Sequence, residues 1–323
     1  AGWIPAEAWA AWVAAEKSRY PEPTGMTTKR TEESRFPAPA LGFQLLVLAA
    51  LLLLGTGFVR AADEMVWRQV DSENLVFVEM TEGRFVIELN TLFAPDTVAQ
   101  FRELVADGFY DGLPFYRVID GFVAEGGDGS DMGEFSEIPL IDAEFEIDWE
   151  DDMAWTPVQK NDMFAAETGF IDGFAAARDR DDGRVWLTHC PGVVAMARNE
   201  GPDTSRTDFY IVIGQAPRYL DRNMNVFGRV IDGMDVVQRI KRGKAADNGI
   251  IENDLAKSRI RTMRLGSDIP EAERLTALVP DTRDDAFLGL LKDRRERKQK
   301  FFHRKPPRVL DVCQVPVAGR VIR

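Results

Sequence analysis

The sequence predicts a mainly β domain in which amphipathic helices cover a sheet. Two β-rich runs, 75–80 and 84–89, are separated by three residues that include Gly83, which is the pattern of a hairpin. Within the second run apolar and charged residues alternate, as they do where one face of a strand is buried. After Pro95 the apolar residues follow helical spacing as far as Gly108, so a helix is expected to follow the hairpin.

The rest of the domain continues this alternation of strands and short helices. Further strands are predicted at 115–119, 193–197, 209–213, 226–230 and 258–265, with a short helix at 234–240. The region 267–323 is predicted to be a helical extension, with helices at 270–279 and 284–300. Its basic run, 292–308, has three interpretations: a solvated helix face, a surface that docks against the protein's own acidic flap, or a contact with anionic lipid head groups.

An acidic stretch interrupts the predicted strands between about residues 129 and 190. From Asp128 to Asp152 there are eleven carboxylates and no lysine or arginine. We interpret this stretch as a solvated flap that steers cationic client segments; a calcium site is the alternative, although calcium loops need tighter spacing of their oxygen ligands. The DRDDG run, 179–183, is predicted to be a turn.

The length of the chain, its net charge and its few histidines and cysteines exclude several functions. A chain of 323 residues with 45% apolar residues is long enough for one main globular domain with attachments. Its formal charge of −13 argues against nucleic acid as a partner. The two histidines, His189 and His303, are too few for a metal cluster, so no metal and no cofactor are expected. Cys190 and Cys313 either remain free or, in an oxidising compartment, pair and fasten the tail to the barrel.

The N-terminal part of the sequence predicts export. From Leu41 to Val59 the chain carries no charge, and a boundary of small residues follows, which is typical of a cleaved signal peptide within residues 26–61. The protein is then periplasmic. The alternative is a single anchor that keeps the domain on the periplasmic side of the inner membrane. Residues 1–25 are interpreted as an overextended start or a non-native leader.

One run carries most of the functional information. Residues 115–128, FYRVIDGFVAEGGD, place Arg117 between two strand-like apolar segments that end in paired glycines. The run resembles the central motif of the cyclophilins, which catalyse cis/trans isomerisation of peptide bonds before proline. Two further segments, 191–213 and 219–230, are similar to the family's G-x-x-x-M-A stretch and to its W-L-D and F-G-x-V motifs. The resemblance spans about residues 74–266.

This resemblance implies a fold and a set of site residues. The fold is a closed, antiparallel eight-stranded barrel capped by two helices, and the partners are proline-containing polypeptide clients. Arg117 is implied to stabilise the twisted amide, and Glu125 is implied to orient Arg117. The substrate-binding residues implied by the alignment are Phe115, Phe122, Val123, Ala197, Arg198, Asp208, Tyr210, Tyr219, Leu220 and Met224.

Several positions depart from the family pattern. Tyr116 stands where histidine is common, and Glu125 and Asp208 stand where glutamine is usual. Tyr219 replaces a tryptophan, from which weak or no cyclosporin binding is expected. Glu125 either fixes the geometry of Arg117 or occupies the donors that a substrate needs. The second outcome predicts a noncatalytic proline-binding chaperone or scaffold module instead of an isomerase.

Overall fold

The computed structural model describes residues 64–129 and 137–322. The predicted leader, residues 1–25, and the predicted signal segment, residues 26–61, lie outside the described residues. Within the described part of the chain no helix is both long and apolar enough to cross a bilayer.

Strands dominate the described residues. The α-helices are α1 (Pro95–Ala106), α2 (Met234–Gln238) and α3 (Asp285–Glu296). The strands are β1 (Trp67–Gln69), β2 (Leu75–Met80), β3 (Gly83–Leu89), β4 (Phe115–Val118), β5 (Val123–Gly126), β6 (Ile147–Asp148), β7 (Trp155–Lys160), β8 (Glu167–Ile171), β9 (Phe174–Asp179), β10 (Arg184–Leu187), β11 (Val193–Met196), β12 (Phe209–Val212), β13 (Val226–Asp232), β14 (Ile260–Leu265), β15 (Thr276–Pro280) and β16 (Arg320–Ile322).

Eight of these strands form one curved antiparallel sheet in the order β14-β2-β3-β13-β11-β12-β5-β4. The mainly β class and the eight strands are confirmed, but the predicted closure of the barrel is wrong. The edge strands β14 and β4 are joined by a bridge between Pro114 and Arg259 and not by a ladder. The outer edge of β4 is instead occupied by the segment 249–251, because Val118 N donates to Gly249 O and Ile251 N donates to Tyr116 O.

The two predicted capping helices are present and cover the interior of the curved sheet. On α1 the buried Phe101 packs against the rings of Tyr110, Phe209 and Phe227, with centroids 5.1, 5.6 and 4.8 Å away. Pro95 begins this helix, where the missing N–H costs nothing. Alternate residues of each strand pack in this interior cluster, and the residues between them point to the outer face of the sheet.

The stretch after residue 137 is not the predicted loop. It folds into a second antiparallel sheet of five strands, in the order β6-β10-β9-β8-β7, which we call the inserted sheet. Its apolar residues form one cluster with the outer face of the main sheet. The prediction of a solvated flap was wrong because the carboxylates pair with arginines from distant positions. Glu146, for example, lies 3.0 Å from Arg184 and also pairs with Arg222. The predicted turn at 179–183 does join β9 to β10.

The C-terminal extension is only partly helical: the helix predicted at 270–279 is wrong, and the one predicted at 284–300 is present in part. Residues 270–279 form a short 3-10 helix, Glu271–Glu273, followed by β15, which pairs with β1 and β16. The burial of β15 alternates, with Ala277 and Val279 inside a third small cluster, and this period of two is that of a strand. The second predicted helix is present as α3, shorter than expected because Arg297 ends it in a left-handed conformation.

The tail is fastened to the inserted sheet at two places. Phe287 of α3 is fully buried and packs edge-on against Phe170 of β8, with ring centroids 5.6 Å apart. Farther along, Cys313 forms a disulfide with Cys190, which follows β10. Of the two alternatives that the sequence left open for these cysteines, the structure has the paired one.

Candidate active site

Three neighbouring strands align polar side chains on the outer face of the main sheet. β4 pairs with β5 so that Arg117 is opposite Glu125, and β5 pairs with β12 so that Glu125 is opposite Tyr210. On β11 the residue opposite Tyr210 is Ala195. Residues directly opposite one another in antiparallel strands have Cβ atoms only about 4.5–5.5 Å apart. The register therefore brings the arginine, the carboxylate and the tyrosine together.

Arg117 is held by two acceptors. Its NH1 group forms an ion pair with a carboxylate oxygen of Glu125, and its Nε donates to the backbone oxygen of Asn248 at 3.2 Å. The side chain is 24% exposed, so the guanidinium still faces the cleft. A guanidinium is planar and always charged, and two of its edges are fixed here. The arrangement presents a rigid cation whose NH2 group is not used by either contact.

Tyr116 connects two carboxylates beside the arginine. A register shift between Phe115 and Arg117 lets the side chains of Tyr116 and Arg117 both reach Glu125. The Tyr116 hydroxyl lies 2.8 Å from Glu125 Oε1 and 3.0 Å from Asp208 Oδ2. Burial, followed by the two negative charges, raises the pKa of Tyr116 far above the usual value for tyrosine. This hydroxyl therefore remains a proton donor across the physiological range.

The paired glycines at the end of β5, Gly126 and Gly127, make room for Asp208. A Cβ atom placed on Gly127 would lie 1.9 Å from Asp208 Oδ1, and the φ of Gly127 is +141°, which side chains rarely permit. The next turn brings the N–H of Gly129 to 3.2 Å from the same carboxylate oxygen. The glycines thus allow the backbone to wrap closely around a buried acid that also contacts Tyr116.

The row of side chains opens into a cleft of about 530 Å³. Nine of the twelve predicted site residues line it: Arg117, Phe122, Val123, Glu125, Ala197, Arg198, Tyr210, Leu220 and Met224. Arg117 and Glu125 come from β4 and β5, Arg198 follows β11, and Phe122, Leu220 and Met224 add apolar side chains to the lining. A larger groove, of about 990 Å³, runs past Phe77 and Ile269, away from this row of side chains.

Three predicted residues lie elsewhere. Phe115 is fully buried in the interior cluster, behind the sheet from the cleft. Asp208 is 1% exposed and lies beneath Tyr116, so it supports the site without forming its wall. Tyr219 is 68% exposed and does not belong to the residues that line the cleft. The Tyr219 side chain points into the solvent. Tyr219 lies in a 3-10 helix, Arg218–Leu220, and in this helix it is Leu220 that faces the cleft.

Four residues of the cleft are not among the predicted site residues: Tyr116, which the sequence marked only as a departure from the family pattern, Gly129, Asn248 and Ile250. The last two arrive on the segment that covers the edge of β4. Asn248 has a left-handed backbone and is followed by Gly249, and Asn-Gly is a strong turn signal that sequence reasoning could have used. The turn places the Asn248 carbonyl against Arg117.

We expect two tyrosines of the folded protein to resist ionisation. Burial raises the pKa of both Tyr116 and Tyr210 above the unfolded value of about 10. Folding therefore favours the neutral form of both phenols. The stability that this preference contributes is present below the unfolded pKa and is lost as the pH rises above it. In an ultraviolet titration, at most three of the five tyrosines should ionise before alkaline unfolding.

Tyr116→Phe is the control for this titration. The variant should leave the early tyrosinate signal unchanged and remove only part of the signal that accompanies unfolding. Ionisation of all five tyrosines while circular dichroism still shows the native fold would contradict the expectation.

Comparison with known proteins identifies the class to which this fold and cleft belong. Residues 75–264 match the family model described as cyclophilin-type peptidyl-prolyl cis-trans isomerase. A probable peptidyl-prolyl cis-trans isomerase of Brucella suis is 30% identical over 218 residues, which are 64% of this chain and 89% of the relative; the Brucella abortus protein matches equally well. The crystal structure of cyclophilin AquaCyp293 from Hirschia baltica is 32% identical, with a TM-score of 0.65 over 79% of this chain and 93% of that one.

The protein belongs to the cyclophilin-type peptidyl-prolyl cis-trans isomerase family. The resemblance inferred from the arginine motif is therefore confirmed. The likeness to the Hirschia baltica protein extends over a larger share of the chain than residues 75–264, so part of the architecture outside the family match is shared with that structure.

Proposed function

We propose that this chain accelerates rotation about X-Pro peptide bonds without a covalent intermediate, with Arg117 as the catalytic residue. The observation that carries the proposal is the fixed guanidinium of Arg117 in a cleft that is also lined by apolar side chains. Rotation about a prolyl bond has a barrier of about 20 kcal/mol because the resonance of the amide is lost in the twisted state. A catalyst for this step has to favour the twisted amide over the planar one.

Each part of the cleft has a role in this proposal. Phe122, Tyr210, Leu220 and Met224 hold the proline ring, while main-chain groups of Ala197 and Arg198 hold the preceding residue. Arg117 then donates to the proline nitrogen as that nitrogen becomes pyramidal and its lone pair localises, an interaction that is stronger in the twisted state than in the planar one. These steps need no cofactor.

Two contacts limit what Arg198 can do. Its Nε donates to Asn223 O at 2.9 Å, and its NH1 donates to Asn199 O at 2.8 Å. The guanidinium therefore braces the loops at the rim of the cleft. We infer that Arg198 contributes its backbone to the substrate and that its charge stays with the loops.

A protease-coupled isomerisation assay on Ala-Pro and Gly-Pro peptides tests the proposed function. Turnover by the purified full-length chain is the expected result. A folded protein that binds these peptides without accelerating their isomerisation would refute it, and would support the alternative function of a noncatalytic proline-binding chaperone or scaffold module.

Glu125 decides between these two functions, and we expect it to position Arg117. Its carboxylate takes one NH1 contact and leaves the NH2 group of Arg117 outside the pair. Glu125→Gln keeps an oxygen acceptor and should retain kcat/KM within about threefold, whereas Glu125→Ala removes a charge-assisted hydrogen bond and should lower kcat/KM about tenfold or more. A large gain of activity in Glu125→Gln would show instead that the carboxylate blocks the arginine.

We propose that the clients are exported polypeptides and that the protein works in the periplasm. The uncharged Leu41–Val59 segment supports export, and the disulfide supports an oxidising compartment. N-terminal sequencing of the exported protein and membrane fractionation distinguish a cleaved signal from an inner-membrane anchor. Weak or no cyclosporin binding is proposed because Tyr219 replaces tryptophan and is largely exposed; calorimetric titration with cyclosporin measures it.

A further inference from the structure

We propose that His189, supplied by the inserted sheet, is a positioning residue that fixes Tyr210 in the proline pocket. The inference rests on the proposed isomerase function, and it assigns a role to the insertion. It is carried by a buried series of hydrogen bonds that runs from the wall of the cleft to the 3-10 helix at Arg218–Leu220.

The first link joins the pocket wall to the histidine. The Tyr210 ring lines the cleft, and its hydroxyl lies 2.9 Å from His189 Nε2. The two rings are nearly parallel, with an interplanar angle of 15°. Tyr210 is 4% exposed and His189 is fully buried, so each polar atom depends on the other for a partner. The hydroxyl therefore fixes the direction of the tyrosine ring from behind the cleft.

The second link fixes the histidine. Asp221 Oδ1 accepts from the backbone N–H of His189 at 2.9 Å and lies 3.1 Å from its Nδ1. A carboxylate at Nδ1 requires that this nitrogen carries the proton, so Nε2 is the acceptor for the Tyr210 hydroxyl. Burial raises the pKa of Tyr210 and keeps that hydroxyl protonated. In the neutral imidazole this arrangement selects one tautomer and one direction for both hydrogen bonds.

The third link returns to the cleft. Arg218 Nε donates to the other oxygen of Asp221 at 2.5 Å, and a second nitrogen of Arg218 lies 3.4 Å from Asp162 of the insertion. Leu220, which lies between Arg218 and Asp221 in the sequence, lines the cleft beside Tyr210. The same hydrogen-bond series therefore holds two walls of the proline pocket, and it contacts the insertion at two points, His189 and Asp162.

This arrangement indicates a rigid pocket. A site performs best when its walls are held by a supporting layer of hydrogen bonds, because a small displacement weakens substrate binding and orientation. His189 lies two residues after β10, so the inserted sheet places it directly behind the pocket. We infer that the insertion keeps the pocket shaped for proline.

A double-mutant cycle with His189→Gln and Tyr210→Phe tests the proposal on the full-length chain. Tyr210→Phe keeps the ring and removes only the hydroxyl. Each single variant should raise KM for an Ala-Pro peptide about three- to tenfold with little change in kcat, the range expected for one neutral hydrogen bond. The double variant should be no worse than the more affected single variant, because both changes remove the same link.

Three further measurements make the cycle decisive. The Kd for the same peptide is measured by NMR, so pocket shape is tested even if turnover is absent and the proposed function fails. His303→Gln, which changes an exposed histidine, should leave KM and Kd unchanged. Unfolding midpoints are recorded for every variant. The proposal is overturned if Tyr210→Phe leaves both KM and Kd unchanged, or if the effects of the two single variants multiply in the double variant.

Discussion

Arg117→Ala is expected to lower kcat/KM for prolyl isomerisation by about 100- to 1,000-fold, the usual cost of removing one preorganised donor that acts on a transition state. The loss should appear in kcat, because the guanidinium interacts more strongly with the twisted amide than with the planar one. The fold should remain, since the side chain lies at the cleft and not in the interior cluster. The protease-coupled assay measures the rate, and circular dichroism confirms folding.

Two controls separate geometry from charge. Arg117→Lys keeps the charge but loses the planar fork, so it should recover only a small part of the lost rate. Arg239→Ala removes an exposed arginine that directly follows α2 and pairs with Asp235 at 2.7 Å, and it should leave kcat/KM within about twofold. Wild-type activity in Arg117→Ala would remove the arginine from the mechanism, and equal losses in Arg117→Ala and Arg239→Ala would point to a general effect of charge.

Much of the main sheet and of the cleft could be predicted because the signals are local. The hairpin of β2 and β3 and the helix after Pro95 follow from periodicity alone. The row of Arg117, Glu125 and Tyr210 follows from the family motif, since these residues are placed by the pairing of adjacent strands. Nine of the twelve predicted residues line the cleft.

The inserted sheet could not be predicted because its stability depends on partners that are distant in the sequence. Glu167 of β8 pairs with Arg178 at 2.5 Å, and the same arginine lies over the rings of Trp149 and Trp155, 4.2 and 4.3 Å from their centroids. Taken locally, the same residues suggest a charged, solvated flap. Only the assembly of strands β7, β8, β9 and β10 into one sheet shows that these charged groups and rings meet.

His189 illustrates the same limit at the scale of one residue. In the sequence it is an isolated histidine beside a cysteine. His189 turns to Tyr210 and Asp221, while Cys190 joins Cys313. Its partners lie 21 and 32 residues away in the chain, so no local spacing identifies it as part of the pocket.

Loss of the disulfide is expected to lower the free energy of unfolding by about 2–5 kcal/mol. The link between Cys190 and Cys313 closes a loop with a sequence separation of 123, and loop-closure entropy gives a value near the upper end of that range. The tail would then depend on apolar contacts such as those of Phe287, Val312 and Val315 with the inserted sheet and the outer face of the main sheet. Urea unfolding with and without a reductant measures the difference.

The double variant Cys190→Ala/Cys313→Ala isolates the effect of the link. It should unfold at the same urea concentration with or without the reductant, and that concentration should match the midpoint of the reduced wild type. Limited proteolysis should cleave the tail after α3 faster in both of these forms than in the oxidised protein, because the loop is no longer closed. An oxidised protein that unfolds no later than the reduced one would show that the packing of α3 and the tail, and not the disulfide, holds the extension in place.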